Sequence, residues 1–308
     1  MTAGIFLLAL ALVAEPPAAI ESAKRAYAAA QAGRWEEAAT ALREAARLAP
    51  ANPLYRTGLG GILEKQGRRE EAVAEFTAAL RLDPANRQLR DRVGALALDT
   101  GAELARAGRF RAGLKLAREH AALFPDSPAA FQMLGLFLLR THENPASAEA
   151  YQRALQLDPD SADASVGLGI AQSEAGLTAE AARTFTAGLQ RFPRDAMHRQ
   201  AYGVLLVKLA ETGDGEAARQ ARPMLLSALA LNESLAESHY QLGLLELAAG
   251  DAPGALASLE RAARHGLDDS RRHYATARAL RRLGRQAEAE AALASFRRRK
   301  AAEEAAPR

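Results

Sequence analysis

The sequence predicts an all-α solenoid of about eight antiparallel helix pairs, and three observations carry that prediction. The first is composition: 49% of the 308 residues are hydrophobic, yet Phe, Tyr and Trp number only nine, six and one. A core supplied by alanine and leucine, with few β-branched runs, suits closely approaching helices better than sheet. The second is a period. Small residues recur at Ala38, Ala72, Gly113, Ser147, Ala181, Ala221, Ala255 and Ala289, in steps of 34, 41, 34, 34, 40, 34 and 34. The third is punctuation at the same period, by glycine after one apolar stretch and by proline after the next.

The first segment in chain order stands apart from the repeat. Ile5–Ala14 is an uninterrupted apolar run followed by Glu15-Pro16-Pro17, the pattern of a secretory signal peptide, with cleavage after Ala14 or Ala11. At about 1.5 Å per residue the run spans about half of a ~30 Å hydrocarbon core, which disfavours a lasting transmembrane anchor. No Lys or Arg precedes it, so a short uncleaved anchor and a buried helical turn stand as alternatives. The expected organisation is a signal peptide over 1–14, a linker over 15–18, the helical array over 19–300 and a tail over 301–308. Export to the periplasm or the cell exterior follows from this reading; a retained N-terminus would place the chain in the cytoplasm.

The helix pairs follow. In the clearest copy, Gly67–Pro84, the residues Ala72, Phe76, Ala79 and Pro84 repeat Ala38, Leu42, Ala45 and Pro50 at a shift of 34. Ser147, Tyr151, Ala154 and Pro159 continue the pattern, as do Ala181, Phe185, Gly188 and Pro193. Upstream of these second helices lie first helices marked by Gly60, Gly135, Gly169, Gly203 and Gly243. Small residues let two helices approach, and the larger side chain one turn later fills the gap between them. Gly33, Gly67, Gly176, Gly250 and Gly284 fall where first helices end. The Asp-Pro and Phe-Pro steps end the second helices.

Two pairs are longer. In the third, Gly94 and Gly101 both fit the glycine marker. Seven extra residues make two helical turns of about 3.6 residues each, so a helix between Asn86 and Ala107 can lengthen without rotating its faces. In the sixth, the extra residues are expected in a loop over the polar stretch Glu211–Gly215. The basic residues gather at the end of the chain. From Arg261 to Arg308 there are thirteen basic and six acidic residues, a net +7 within an overall balance of +3. This reads as a solvated capping helix rather than a nucleic-acid surface, because no aromatic platform accompanies Arg297-Arg298-Arg299-Lys300.

Register, period and residue type together resemble the tetratricopeptide repeat family, over roughly Ala19 to Lys300. The departures are few. The aromatic usual early in the first helix is kept at Phe131 but replaced by Ser22, Arg56 and Ser165, and Glu233 and Leu267 stand where the terminal proline is usual. The resemblance implies a right-handed superhelical solenoid whose first helices line a concave groove, and a non-enzymatic scaffold that grips a peptide or helix of a partner protein. Projected onto this chain, the family's inward positions fall on Gln132, Leu136, Leu139, Arg140, Val166, Ile170, Val204, Val207, Lys208, Tyr240 and Leu244. Their aliphatic character points to an apolar or amphipathic ligand. The paired cationic clamp with which some members hold a C-terminal carboxylate is not recognisable here. An alternative within the same fold is an accessory or assembly factor that associates transiently with a membrane-bound envelope or polysaccharide-export complex.

Catalysis has little support in the sequence. Without cysteine there is no disulfide, thiolate metal site or cysteine nucleophile. His239 and His273, 34 apart, are repeat-equivalent and make a poor metal site without a carboxylate or thiol set. Gly58–Gly61 and Gly167–Gly169 are incomplete as phosphate loops and lie in helices, where they serve packing. Asp158–Asp163 lacks the glycine and terminal Glu of a calcium loop and reads as an inter-repeat turn. No catalytic residue, metal, cofactor or nucleic-acid partner is expected.

Overall fold

The computed structural model describes residues 15–305. The signal-peptide expectation for 1–14 lies outside the described residues. Among the described residues the chain forms sixteen α-helices in sequential antiparallel pairs, so the all-α fold of about eight pairs is what the structure shows. The pairs are α1 (Pro17–Gln31) with α2 (Trp35–Leu48), α3 (Pro53–Lys65) with α4 (Arg69–Leu82), and α7 (Pro128–Arg140) with α8 (Asn144–Leu157), with α5 (Arg87–Arg106) and α6 (Phe110–Leu123) following α4 in chain order. They continue with α9 (Ala162–Glu174) and α10 (Thr178–Arg191), α11 (Ala196–Glu211) and α12 (Gly215–Leu231), α13 (Ala236–Ala248) and α14 (Ala252–Arg264), and α15 (Ser270–Arg282) and α16 (Gln286–Ala305). Two boundaries differ from expectation. Pro17 opens α1 inside the anticipated 15–18 linker, and α16 runs through 301–305. Proline at the first helical position costs nothing, because that N–H has no intrahelical partner.

Two compact units divide the chain. Of the described residues, one holds those up to Ala107 together with Ala122–Phe124; the other holds Gly108–Ala121 and those from Pro125 to Ala305. In the first unit α2 packs between α1 and α3, and α4 between α3 and α5. In the second, α7, α9, α11, α13 and α15 touch in succession, and the second helices α8, α10, α12 and α14 each pack between their own partner and the first helix of the next pair. The first helices therefore form a continuous row.

The period explains the core. Every residue of the small set is buried, from Ala38, Ala72, Ala181, Ala221 and Ala255 at 0% exposed to Ala289 at 1%. Ser147 is accommodated because its hydroxyl donates to the Gly135 carbonyl at 2.7 Å. Phe76, Phe137 and Phe185 are fully buried beside this set, each contributing about 1.5–3 kcal/mol of burial. A Cβ on Gly169 would come within 2.4 Å of the Phe185 ring, and one on Gly135 within 2.7 Å of Tyr151. The glycine markers are thus seats for the large side chains of the second helix.

The turns follow the same logic. Gly33, Gly67, Gly176, Gly250 and Gly284 close their first helices at φ between +71° and +85°. At the same place in the fourth pair, His142 takes φ +64° without being glycine. Six first helices open on a polar cap whose side-chain oxygen accepts a backbone N–H, among them Asn52 from Leu54, Ser127 from Ala130 and Ser161 from Ala164. Asn86, Asp195 and Asp269 do the same from Leu89, Met197 and Arg272.

The third pair lengthens as expected, with α5 at 20 residues against 13 for α3. The sixth corrects the sequence reading. The turn over Thr212–Asp214 is as short as its neighbours, and the extra residues extend the helices, α11 to 16 and α12 to 17 against 13 and 14 in the preceding pair. Asp214 accepts from both the Glu216 and Ala217 amides, so the polar stretch caps a helix and does not form a loop. Gly203 still seats Leu225, at 2.7 Å from a would-be Cβ. Pro223 lies within α12 on its exposed side, where water can satisfy the carbonyl that loses its N–H partner.

Candidate partner-binding surface

The surface is the row of first helices α7, α9, α11, α13 and α15. A 34-residue step carries one helix position onto its neighbour, with 40 across the lengthened sixth pair. Leu136, Ile170, Val204 and Leu244 are equivalent by this rule, one to a helix, and all four are half-buried. Ile170 and Leu244 rest one side against the cores beneath them. Leu139 does the same over Tyr151 and Leu168.

Three of the expected contact residues belong to the core instead. Val166 (7% exposed) packs with Phe185 and Leu205, and Val207 (4%) with Leu225 and Leu242. Tyr240 (6%) packs with Leu247 and Leu259, its ring covered by the Arg271 guanidinium at 5.2 Å. The reason is that close approach of successive first helices buries whichever side chain points toward the neighbour. The surface therefore rests on the other eight residues. Gln132 is half-committed, donating to the Ser161 hydroxyl at 2.9 Å. Arg140 is exposed and lies over the Phe110 ring at 5.8 Å. Exposed Lys208 bonds the Ser173 carbonyl at 3.4 Å and stands 3.8 Å from Glu174.

The projection from sequence stopped at α13 and missed the next helix. The same step places Tyr274 opposite Tyr240 and Arg278 opposite Leu244. Tyr274 is 48% exposed, and its ring meets Phe296 of α16 at 5.4 Å. The 34-residue shift was the signal that finds them.

One polar cluster has the residue types of a hydrolytic triad. The His198 Nδ1 meets Asp195 at 2.5 Å, and its Nε2 meets the Ser165 hydroxyl at 3.0 Å. His198 is fully buried, stacks on Phe192 at 5.2 Å, and would clash with a Cβ on Gly188. Ser165 is only 7% exposed. A nucleophile needs room for substrate and donors for an oxyanion. Sealed between α9, α10 and α11, this cluster is a clasp that satisfies buried polar groups. The repeat-equivalent histidines take separate partners. His239 stacks on His265 at 5.3 Å, and His273 bonds Asp268 at 2.8 Å. Asp268 is held down to about 2 by hydrogen bonds from His273 and Arg299, with Arg272 adding to them. Among the described residues no group of three His, Cys, Asp or Glu could hold a metal ion. Asp158–Ser161 is the turn between α8 and α9, with Ser161 as the cap of α9 and Asp163 in its first turn.

Comparison with known proteins gives one consistent result. A family model described as a tetratricopeptide repeat matches residues 23–87, 98–164, 133–196 and 240–304. A tetratricopeptide repeat protein from Parabacteroides merdae superposes with a TM-score of 0.55 at 19% identity, covering 86% of this chain and 100% of that one. A thermophilic TPR protein of Thermus thermophilus superposes with a TM-score of 0.51 at 25% identity, covering 56% of this chain and 91% of that one. Both likenesses concern the fold. No curated protein sequence matches the chain.

Proposed function

The chain belongs to the tetratricopeptide repeat family, and from that premise we propose that it is a non-enzymatic scaffold gripping a peptide or helix of a partner protein against its row of first helices. Repeat domains of this family generally serve as protein-interaction scaffolds. The observation that carries the reading is the half-buried aliphatic set Leu136, Leu139, Ile170, Val204 and Leu244 on contiguous helices, edged by exposed Arg140 and Lys208. Side chains anchored from below and open above are preorganised, which lowers the ordering cost of binding. The Ile5–Ala14 run adds export, so that the partner is sought in the cell envelope. N-terminal sequencing of the protein recovered from its host tests that part: a start at Leu12 or Glu15 supports export, and a retained Met1 overturns it.

The binding reading is tested with the full chain and an Ile170→Asp/Leu244→Asp variant as paired baits in envelope extract, with circular dichroism confirming equal helicity. A partner held by the parent chain and lost by the folded variant supports the reading. Equal recovery on both baits overturns it, because binding then does not use this face.

A further inference from the structure

We propose that the flank where α15 and α16 meet is a docking surface for an anionic phospholipid bilayer. It uses none of the residues that carry the proposed partner-binding face, so the two readings stand or fall separately.

The first observation is which charges are left over. Arg261 to Arg308 holds thirteen basic and six acidic residues, and most of the carboxylates are engaged inside the fold. Asp268 takes His273 at 2.8 Å together with Arg272 and Arg299. Asp269 takes Arg271 at 2.7 Å, and Glu288 takes Arg285 at 2.6 Å. Glu303 accepts from the Ser270 amide at 2.9 Å and its hydroxyl at 2.6 Å, and Glu304 stands 3.9 Å from Lys300. Of these carboxylates Glu290 alone has no partner among the described residues. The excess therefore falls on cations that no carboxylate compensates. Arg278, Arg281 and Arg297 are exposed and have no hydrogen bond or ion pair among the described residues. Exposed Arg298 bonds only the Ser295 hydroxyl, at 3.2 Å. The helix α15 itself contains no acidic residue.

The second observation is where those charges stand. Tyr274 and Arg281 are separated by two turns of about 3.6 residues each, so they share one flank of α15. Leu293, Arg297 and Lys300 likewise follow one another by a turn along one flank of α16. The two flanks join at an aromatic contact. The ring of Tyr274, 48% exposed, lies 5.4 Å from that of half-buried Phe296, and the Lys300 ammonium stands 5.8 Å from the Phe296 centroid. A ring pair rimmed by uncompensated guanidinium groups suits the headgroup zone of a bilayer. There a phenol has an apolar body and a wet tip, and arginine and lysine reach phosphates while their stems stay on apolar surface. Other partners fit less well. A second copy meeting this flank with its own would bring like charges together. Single-stranded nucleic acid needs a series of open ring faces, and the Phe296 ring is already occupied by Tyr274 and Lys300. The attraction to lipid is electrostatic at long range, so it weakens as salt shortens the Debye length below about 10 Å.

The test is co-sedimentation of the full chain with vesicles of phosphatidylcholine alone, or with about one third phosphatidylglycerol, at about 0.1 M and about 0.5 M NaCl. The chain should partition onto the anionic vesicles at the lower salt and leave them at the higher. Each cation near such a surface adds about five-fold to the partition, so Arg281→Glu/Arg297→Glu should weaken it by about twenty-five-fold or more. Arg281→Lys/Arg297→Lys keeps the charge and should retain binding. Arg111→Glu/Arg194→Glu makes the same change in net charge at exposed, unpartnered arginines outside the pair, and should leave binding within about two-fold of the parent chain. Tyr274→Ser should weaken binding several-fold and preserve its salt dependence. Circular dichroism checks that every variant keeps its helicity. Equal partition onto neutral and anionic vesicles, or none onto either, would overturn the inference. So would indifference to salt, an equal loss in the Arg111→Glu/Arg194→Glu chain, or displacement from the anionic vesicles by an equimolar single-stranded oligonucleotide.

Discussion

The Phe76 ring of α4 lies so close to Gly60 of α3 that a methyl group at Gly60 would stand 2.8 Å from it, whereas the adjacent Gly61 has nothing within 4 Å. Two neighbouring glycines of one helix therefore differ in kind. Gly60→Ala forces the fully buried ring to move and should destabilise by about 1–3 kcal/mol. Gly61→Ala meets open space and should stabilise by about 0.5–1 kcal/mol through helix propensity. Urea titration of the two variants checks the opposite signs.

His142 holds the left-handed conformation that glycine occupies at Gly33, Gly67, Gly176, Gly250 and Gly284. Its side chain is exposed, so removal costs no burial. His142→Gly should raise stability by about 1–2 kcal/mol, the usual penalty of a Cβ at such a backbone position. Unchanged or reduced stability on thermal unfolding would show that the turn is not strained.

His120 is 4% exposed, and burial pushes its imidazole down to about 4. The unfolded chain binds this proton near pH 6.5, so the contribution is complete above about 6.5 and is lost as pH falls toward 4, amounting to about 3 kcal/mol. The slope of stability against pH in that window should lessen in His120→Leu. An identical slope in that variant would place the proton uptake elsewhere.

Among the described residues Ser165 supplies the only partner of the buried His198 Nε2. Ser165→Ala should cost about 1–3 kcal/mol by leaving that nitrogen unsatisfied. A serine-directed fluorophosphonate should leave the folded chain unlabelled at Ser165. Labelling there would turn the clasp into a reactive site.

The contrast between Gly60 and Gly61 also marks what the sequence discloses. Gly60, Ala72 and Phe76 recur with the period, and the structure seats them against one another as the spacing requires. Gly61 looks the same in sequence but lacks a recurring partner, and it packs nothing. The sixth pair was misread because Glu211–Gly215 has loop composition, although Asp214 and Gly213 cap helices in a turn of unchanged length. Val166, Val207 and Tyr240 share helix positions with surface residues elsewhere in the row. Their burial depends on how closely the next first helix approaches, and one helix's sequence does not carry that distance. Arg278 and Tyr274, by contrast, were legible from the shift alone, one step beyond Leu244 and Tyr240.

The central claim is that partners dock on the row of first helices. Its most direct test places a photo-crosslinking amino acid, one position at a time, at Leu136, Ile170 and Leu244 and at the exposed second-helix positions Gln152 and Thr186, in the full chain within its native host. Adducts of one defined partner from the three first-helix positions, with none from Gln152 or Thr186, are the predicted result. Adducts confined to Gln152 and Thr186 would move binding to the opposite face and contradict the account.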